Sequence, residues 1–144
     1  MMPNKIINES DKIAIQEAIQ KAEELTSGEI RVHIDKNCSG EPLKRAIEVF
    51  NKLKMHETKE RNGVLIYLAF NDRKLAILGD EGIDKKVAND FWDSTKEQLI
   101  LDFKNNQFIP GIIKSINEVG VRLKEYFPHQ VDDIDELSNE ITFD

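Results

Sequence analysis

Apolar positions recur at helical spacing in four stretches of this chain and at strand spacing in three. After Ser10, a plausible N-cap with Asp11 behind it, Ile15, Ala18, Ile19, Ala22 and Leu25 follow the 3.6-residue period, and Thr26-Ser27-Gly28 stops the helix. Glu29 to Asp35 then alternates, with Ile30, Val32 and Ile34 on one face and Glu29, Arg31, His33 and Asp35 on the other. That pattern predicts a half-buried strand, or one whose second face lies under a polar site. Pro42 suits the first position of a second helix, whose stripe is Leu43, Ala46, Ile47, Phe50 and Leu53. Residues 64–70 and 75–78 are apolar on both faces, as expected of strands covered from two sides. The turn Asn71-Asp72-Arg73 between them is too short for anything but an antiparallel pair. Gly79-Asp80-Glu81-Gly82 closes the third strand. One long helix is predicted through Ile83, Val87, Phe91, Thr95 and Leu99, with Asn105-Asn106 breaking it before a last helix from Ile109 to Phe127.

The order α-β-α-β-β-α-α makes the first two strands parallel, with a right-handed crossover. The fold class this predicts is α/β: a three-layer α/β/α sandwich around a small mixed sheet. Pro128 is expected to end the packed domain, so residues 1–127 form one domain and residues 128–144 an acidic tail.

Composition changes this picture in only two places. The 144 residues suffice for one hydrophobic core. The net charge of −7 belongs to the tail, where Asp132, Asp133, Asp135, Glu136, Glu140 and Asp144 stand with no Lys or Arg. The body is nearly neutral and has no basic patch, which argues against a nucleic-acid partner. A single cysteine, Cys38, excludes an internal disulfide. Met1–Ser10 has no apolar signal core and no stretch approaches a membrane span, so the expected location is the cytoplasm, with no membrane anchor.

Topology then brings distant polar residues together. Glu29 and the Arg61-Asn62 pair open parallel strands, and the third strand returns to that edge with Asp80-Glu81, followed by Asp84. Oxygen ligands of this kind suit a divalent cation, Ca²⁺ or Mg²⁺, held by Asp80, Glu81, Asp84 and Glu29, with Arg61 beside it for a phosphate or carboxylate. The same acids equally read as helix caps and partners of Arg61. Asp35, Asn71, Asp72 and Arg73 collect at the opposite edge. His33, His56 and His129 fit no zinc spacing, and Cys38 has no implied base.

The ordered set Thr26-Ser27-Gly28-Glu29-Ile30-Arg31-Val32, Thr58-Lys59-Glu60-Arg61-Asn62-Gly63-Val64-Leu65-Ile66-Tyr67, Asp72-Arg73-Lys74, Ile77-Leu78-Gly79-Asp80-Glu81-Gly82-Ile83 and Phe108-Ile109-Pro110-Gly111-Ile112 resembles the TPM-domain family across about residues 8–127. The resemblance implies a compact α/β/α sandwich, a proposed acid phosphatase activity and, in some members, association with divalent cations, especially calcium. Plant members serve photosystem repair. Asp80, Arg61, Asn62 and Asp72 match the family pattern, whereas Glu29, Glu81 and Asp84 rest on the topology.

Two functions follow as expectations. The first is a divalent-cation-binding module of regulatory or interaction type, with a possible protein partner. The alternative is a metal-assisted phosphatase acting on phosphate monoesters, with Arg61 and Asp72 as catalytic groups and Asn62 contacting the bound group. The chain has no Cys-x₅-Arg loop and no Asp-x-Asp-x-Thr/Val motif, which ranks catalysis second.

Overall fold

The computed structural model describes residues 7–130, 138–139 and 141–143. Among these, five α-helices and a four-stranded mixed sheet are found: α1 (Glu9–Glu23), β1 (Glu29–Asp35), α2 (Pro42–Lys52), β2 (Gly63–Ala69), β3 (Lys74–Gly79), the one-turn α3 (Glu81–Asp84), α4 (Asp93–Lys104), α5 (Phe108–Tyr126) and β4 (Thr142–Phe143). The sheet order is β3-β2-β1-β4. β1 and β2 are parallel with Glu29 opposite Gly63, and β2 and β3 are antiparallel with Ala69 opposite Lys74.

Alternation along the strands divides the interior into two cores. Ile30, Val32 and Ile34 of β1 and Val64, Ile66 and Leu68 of β2 pack with Ile15, Ile19, Leu99, Ile112, Ile116 and Leu123 from α1, α4 and α5. The opposite face offers Leu65, Tyr67, Ala69 and Ala76 to Ala46, Val49 and Phe50 of α2. Helices therefore cover both faces, as the α/β/α reading requires. α1 and α5 approach so closely that a Cβ on Gly120 would stand 2.8 Å from that of Ala22.

Three local features depart from the sequence reading. The cap of α1 is Asn8 rather than Ser10: its Oδ1 accepts from the Asp11 N–H at 2.8 Å, while the Asp11 carboxylate accepts from the Asn8 N–H, a reciprocal capping box. The long helix expected from Ile83 to Leu99 is broken into α3 and α4. Val87, Asn89 and Asp90 are weak helix formers. The Phe91 carbonyl is taken by Arg122 at 3.0 Å, and the Phe91 ring packs edge-on against Trp92 and Tyr126. Tertiary packing outweighs the helical period there. Of the two readings of β1, half-buried or with its second face under a polar site, the first fails: the strand is buried at all seven positions, its charged face included.

Two parts of the segment beyond Phe127 also lie on the body. Pro128 bridges to Thr26, and Thr142–Phe143 adds a fourth strand parallel to β1, with Ile141 buried beside it. Among the described residues, no helix is long and apolar enough to cross a membrane.

Candidate functional site

Glu29, Asn62 and Asp80 meet at one end of the sheet. The Glu29 N–H reaches the Asn62 carbonyl at 3.4 Å, and the Asp80 N–H donates to the Gly63 carbonyl at 2.9 Å. Glu29, Asn62 and Asp80 are all buried. The Asn62 side chain donates to the Ser27 hydroxyl at 3.3 Å, which in turn donates to Glu60 at 2.9 Å. Asn62 thus fastens the start of β2 to the turn before β1.

Asp80 caps α3: its Oδ1 accepts from the Glu81 N–H at 2.8 Å, and its carbonyl accepts from Ile83 and Asp84. Arg61 closes on the same carboxylate as a fork, Nε to Oδ2 at 2.8 Å and Nη2 to Oδ1 at 3.0 Å, while Nη1 donates to Glu81 at 2.9 Å. The Arg61 side chain is 39% exposed and the Asp80 side chain 6%, so the pair meets water chiefly through Arg61. Arg61 holds φ at 53°, a left-handed conformation uncommon for residues other than glycine. Its carbonyl accepts from the Gly82 N–H at 2.8 Å, and a Cβ on Gly82 would stand 2.2 Å from the Glu60 carbonyl oxygen. Only glycine lets the loop before β2 and α3 lie so close.

Asp84 is exposed one turn along. Partial desolvation, and then the neighbouring Asp80 charge, raise its carboxyl above the ordinary value. The oxygen donors here suit a hard cation. Asp80 and Glu81 are nevertheless both engaged by Arg61, and among the described residues no three His, Cys, Asp or Glu side chains are gathered as a metal cage.

Asp72 lies elsewhere. It is exposed in the β2–β3 turn, at the far end of β2 from Arg61, so about 20 Å of strand separates the two. Its carboxylate accepts from the Cys38 N–H at 2.6 Å. Lys74 donates to the carbonyls of Cys38 and Gly40 at 2.9 and 3.0 Å, so the loop after β1 is tied to the hairpin. A cleft of about 570 Å³ opens beside this loop, lined by residues 35–41 with Lys44, Arg45 and Glu48. It stands beyond the carboxyl end of β1.

The floor of that cleft holds a polar cluster that sequence reasoning left unassembled. The Asp35 carboxylate accepts from Arg45 Nε at 2.8 Å and from the Tyr67 hydroxyl at 2.6 Å, and it pairs with His33 Nε2 at 2.8 Å. Burial would raise this carboxyl, but the hydrogen bonds from Arg45, Tyr67 and His33, with the His33 charge, outweigh it and hold Asp35 below its ordinary value. Burial, followed by the bond to Asp35, pushes the Tyr67 hydroxyl well above the ordinary tyrosine range. The available signal was the polar face of β1 together with Tyr67, whose hydroxyl needs a partner inside an otherwise apolar strand.

The TPM domain model matches residues 2–122. Among solved structures, the chain is similar to the BA42 protein from the psychrophilic bacterium Bizionia argentinensis, at 45% identity and a TM-score of 0.90 over 96% of this chain and 95% of that one. The N-terminal domain of the cg2496 protein from Corynebacterium glutamicum shares the fold, at 14% identity and a TM-score of 0.66 over 96% of this chain and 82% of that one. No curated protein sequence matches the chain.

Proposed function

The chain belongs to the TPM-domain family, and we propose that it works as a divalent-cation-responsive binding module whose cation enters beside Asp80 in exchange for the Arg61 guanidinium. What carries this reading is the forked Arg61–Asp80 pair: a buried carboxylate on a rigid cap, matched by a positive group that is partly exposed to water. Asp80, Glu81 and Asp84 bring three carboxylates against that one guanidinium, and Asp84 is raised first by desolvation and then by the Asp80 charge. Ca²⁺ or Mg²⁺ offsets these carboxylates with two charges, taking oxygen ligands from Asp80, Glu81 and Asp84 once Arg61 swings outward. Glu29 and Asn62 are buried at the same end of the sheet. The displaced Arg61 then becomes available to a protein or anionic partner, which gives the module a regulatory output.

The phosphatase reading draws less support. Three N–H groups of Arg61 already serve carboxylates, and Asp72 stands a strand length away, so the two do not serve one reacting centre in this conformation.

Arg61→Gln separates the two readings. Removing a competing cation leaves Asp80 free for metal, so the exchange account expects tighter Ca²⁺ binding in a calorimetric titration of metal-stripped protein. A phosphatase resting on Arg61 would instead lose metal-dependent hydrolysis of a generic phosphate monoester. Unchanged or weaker Ca²⁺ binding in the variant would count against exchange.

A further inference from the structure

We propose that the outer edge of β1 is a strand-accepting peptide site, filled here by the chain's own Ile141-Thr142-Phe143 segment, and that its occupancy is communicated to the cleft through His33, Asp35 and Arg45. A sheet edge presents unpaired N–H and C=O groups and accepts an extended peptide as an added strand, with pockets for alternate side chains supplying specificity. The segment has both attributes. Its backbone pairs in parallel with β1, Thr142 opposite His33 and Phe143 opposite Ile34. Its side chains alternate as a strand must: Ile141 and Phe143 join the core beneath α1, and Thr142 points to the other face.

Side-chain contacts support the pairing. Thr142 Oγ1 lies 2.7 Å from His33 Nδ1, and the Lys12 ammonium stands 5.7 Å from the centre of the Phe143 ring. The pairing is nevertheless slight. Among the described residues two register pairs join β4 to β1, against seven between β1 and β2, and parallel pairing is the weaker kind per residue. A strand so attached behaves as a bound ligand more than as an integral part of the sheet. The chemistry it defines for a competing partner is an extended peptide carrying a hydroxyl residue between two large apolar ones.

Contacts continue inward from Thr142. His33 Nδ1 faces the threonine hydroxyl and Nε2 faces Asp35 at 2.8 Å, and Asp35 holds Arg45 at the cleft wall, also at 2.8 Å. The imidazole is therefore oriented from both sides. Withdrawal of Thr142 removes one of the groups that fix it and alters the hydrogen bonding of the carboxylate on which Arg45 rests.

Amide hydrogen exchange on the unaltered full chain tests the first part. The Thr142 and Phe143 pairing is expected to exchange at least tenfold faster than the β1–β2 ladder, by opening that leaves the rest protected. Equal protection would make β4 an integral strand and overturn the proposal.

A titration tests recognition. In full-length protein carrying Thr142→Val and Phe143→Ser, the peptide Ser-Asn-Glu-Ile-Thr-Phe-Asp is expected to give saturable NMR shifts at Ile34, the His33 ring and Arg45 Nε. The peptide with Val in place of Thr is expected to bind about three- to tenfold more weakly, as loss of one hydrogen bond implies. The unaltered chain should show no shift, because its own segment has the higher effective concentration. A folded variant that gives no shift at millimolar peptide, shifts confined to the edge without Arg45, or a variant that loses its fold would each overturn the proposal.

Discussion

Arg61, in the loop before β2, and Asp80, the cap of α3, lie 19 residues apart and face each other as a two-bond fork. The geometry places a water-accessible cation against a nearly dry carboxylate, and Arg61 reaches it from a left-handed backbone conformation that Gly82 makes sterically feasible. The pair joins the loop before β2 to the start of α3, so perturbations of either bear on the same corner.

Gly82→Ala tests that corner. The added methyl meets two backbone carbonyl oxygens, Glu60 at 2.2 Å and Arg61 at 2.6 Å, neither of which is the end of a flexible side chain. Overpacking of this kind costs about 1–3 kcal/mol. Urea unfolding should show a lower midpoint at unchanged slope, and a variant as stable as the parent would mean that the loops separate freely.

Asp84→Asn removes a charge disfavoured by partial desolvation and then by the neighbouring Asp80. A carboxyl whose folded pKa is raised favours folding below its unfolded value and detracts from stability as the pH rises through the folded one. The variant is therefore expected to be slightly more stable than the parent at neutral pH, with the difference vanishing in acid. In the presence of Ca²⁺ the order should reverse, because a ligand has been lost. Thermal melts at pH 3 and pH 7, with and without the ion, read all four states.

Tyr67→Phe probes the cluster under the cleft. Tyr67 is fully buried and its hydroxyl donates to Asp35, so its loss should cost about 1–3 kcal/mol at neutral pH. Asp35 has a depressed carboxyl, so the stability it contributes is present above its ordinary value of 3.8 and is lost as the pH falls through the folded value. The parent's advantage over the variant should thus shrink in acid. A constant gap across the pH range would show that the hydroxyl does not act through Asp35.

The helix cap offers a check of the local reading. Asn8→Ala should destabilise by about 1 kcal/mol, whereas Ser10→Ala, inside α1, should change little. Comparable losses from both would contradict the capping box.

How far the sequence reads correctly varies from element to element, for physical reasons. The two-sided apolar runs at 64–70 and 75–78 and the short turn between them specify β2, β3 and their antiparallel pairing, and Ile30, Val32 and Ile34 point β1 at the right core. From that topology alone, Glu29, Asn62 and Asp80 could be placed at one edge, and backbone hydrogen bonds place those three chain segments side by side. The fork itself was one of two open readings of Arg61, because spacing does not say which acid an arginine takes. The break after Asp84 was hidden: Val87 and Phe91 keep the helical period, and only the packing of Phe91 with Trp92, Tyr126 and Arg122 reveals that they serve a turn. The burial of His33 and Asp35 was hidden for a related reason. Their alternation with apolar residues marks a second face, but their partners, Arg45 and Thr142, come from elements distant in sequence.

The most direct test of the exchange account is a thermal melt of the metal-stripped full chain, alone and with millimolar Ca²⁺ or Mg²⁺, alongside the Asp80→Asn, Glu81→Gln double variant. An ion present at 100 times its dissociation constant stabilises the folded state by about 2.7 kcal/mol. The account expects a clear upward shift in the parent and none in the double variant. An equal shift in both proteins, or no shift in the parent with either ion, would contradict a cation site beside Asp80.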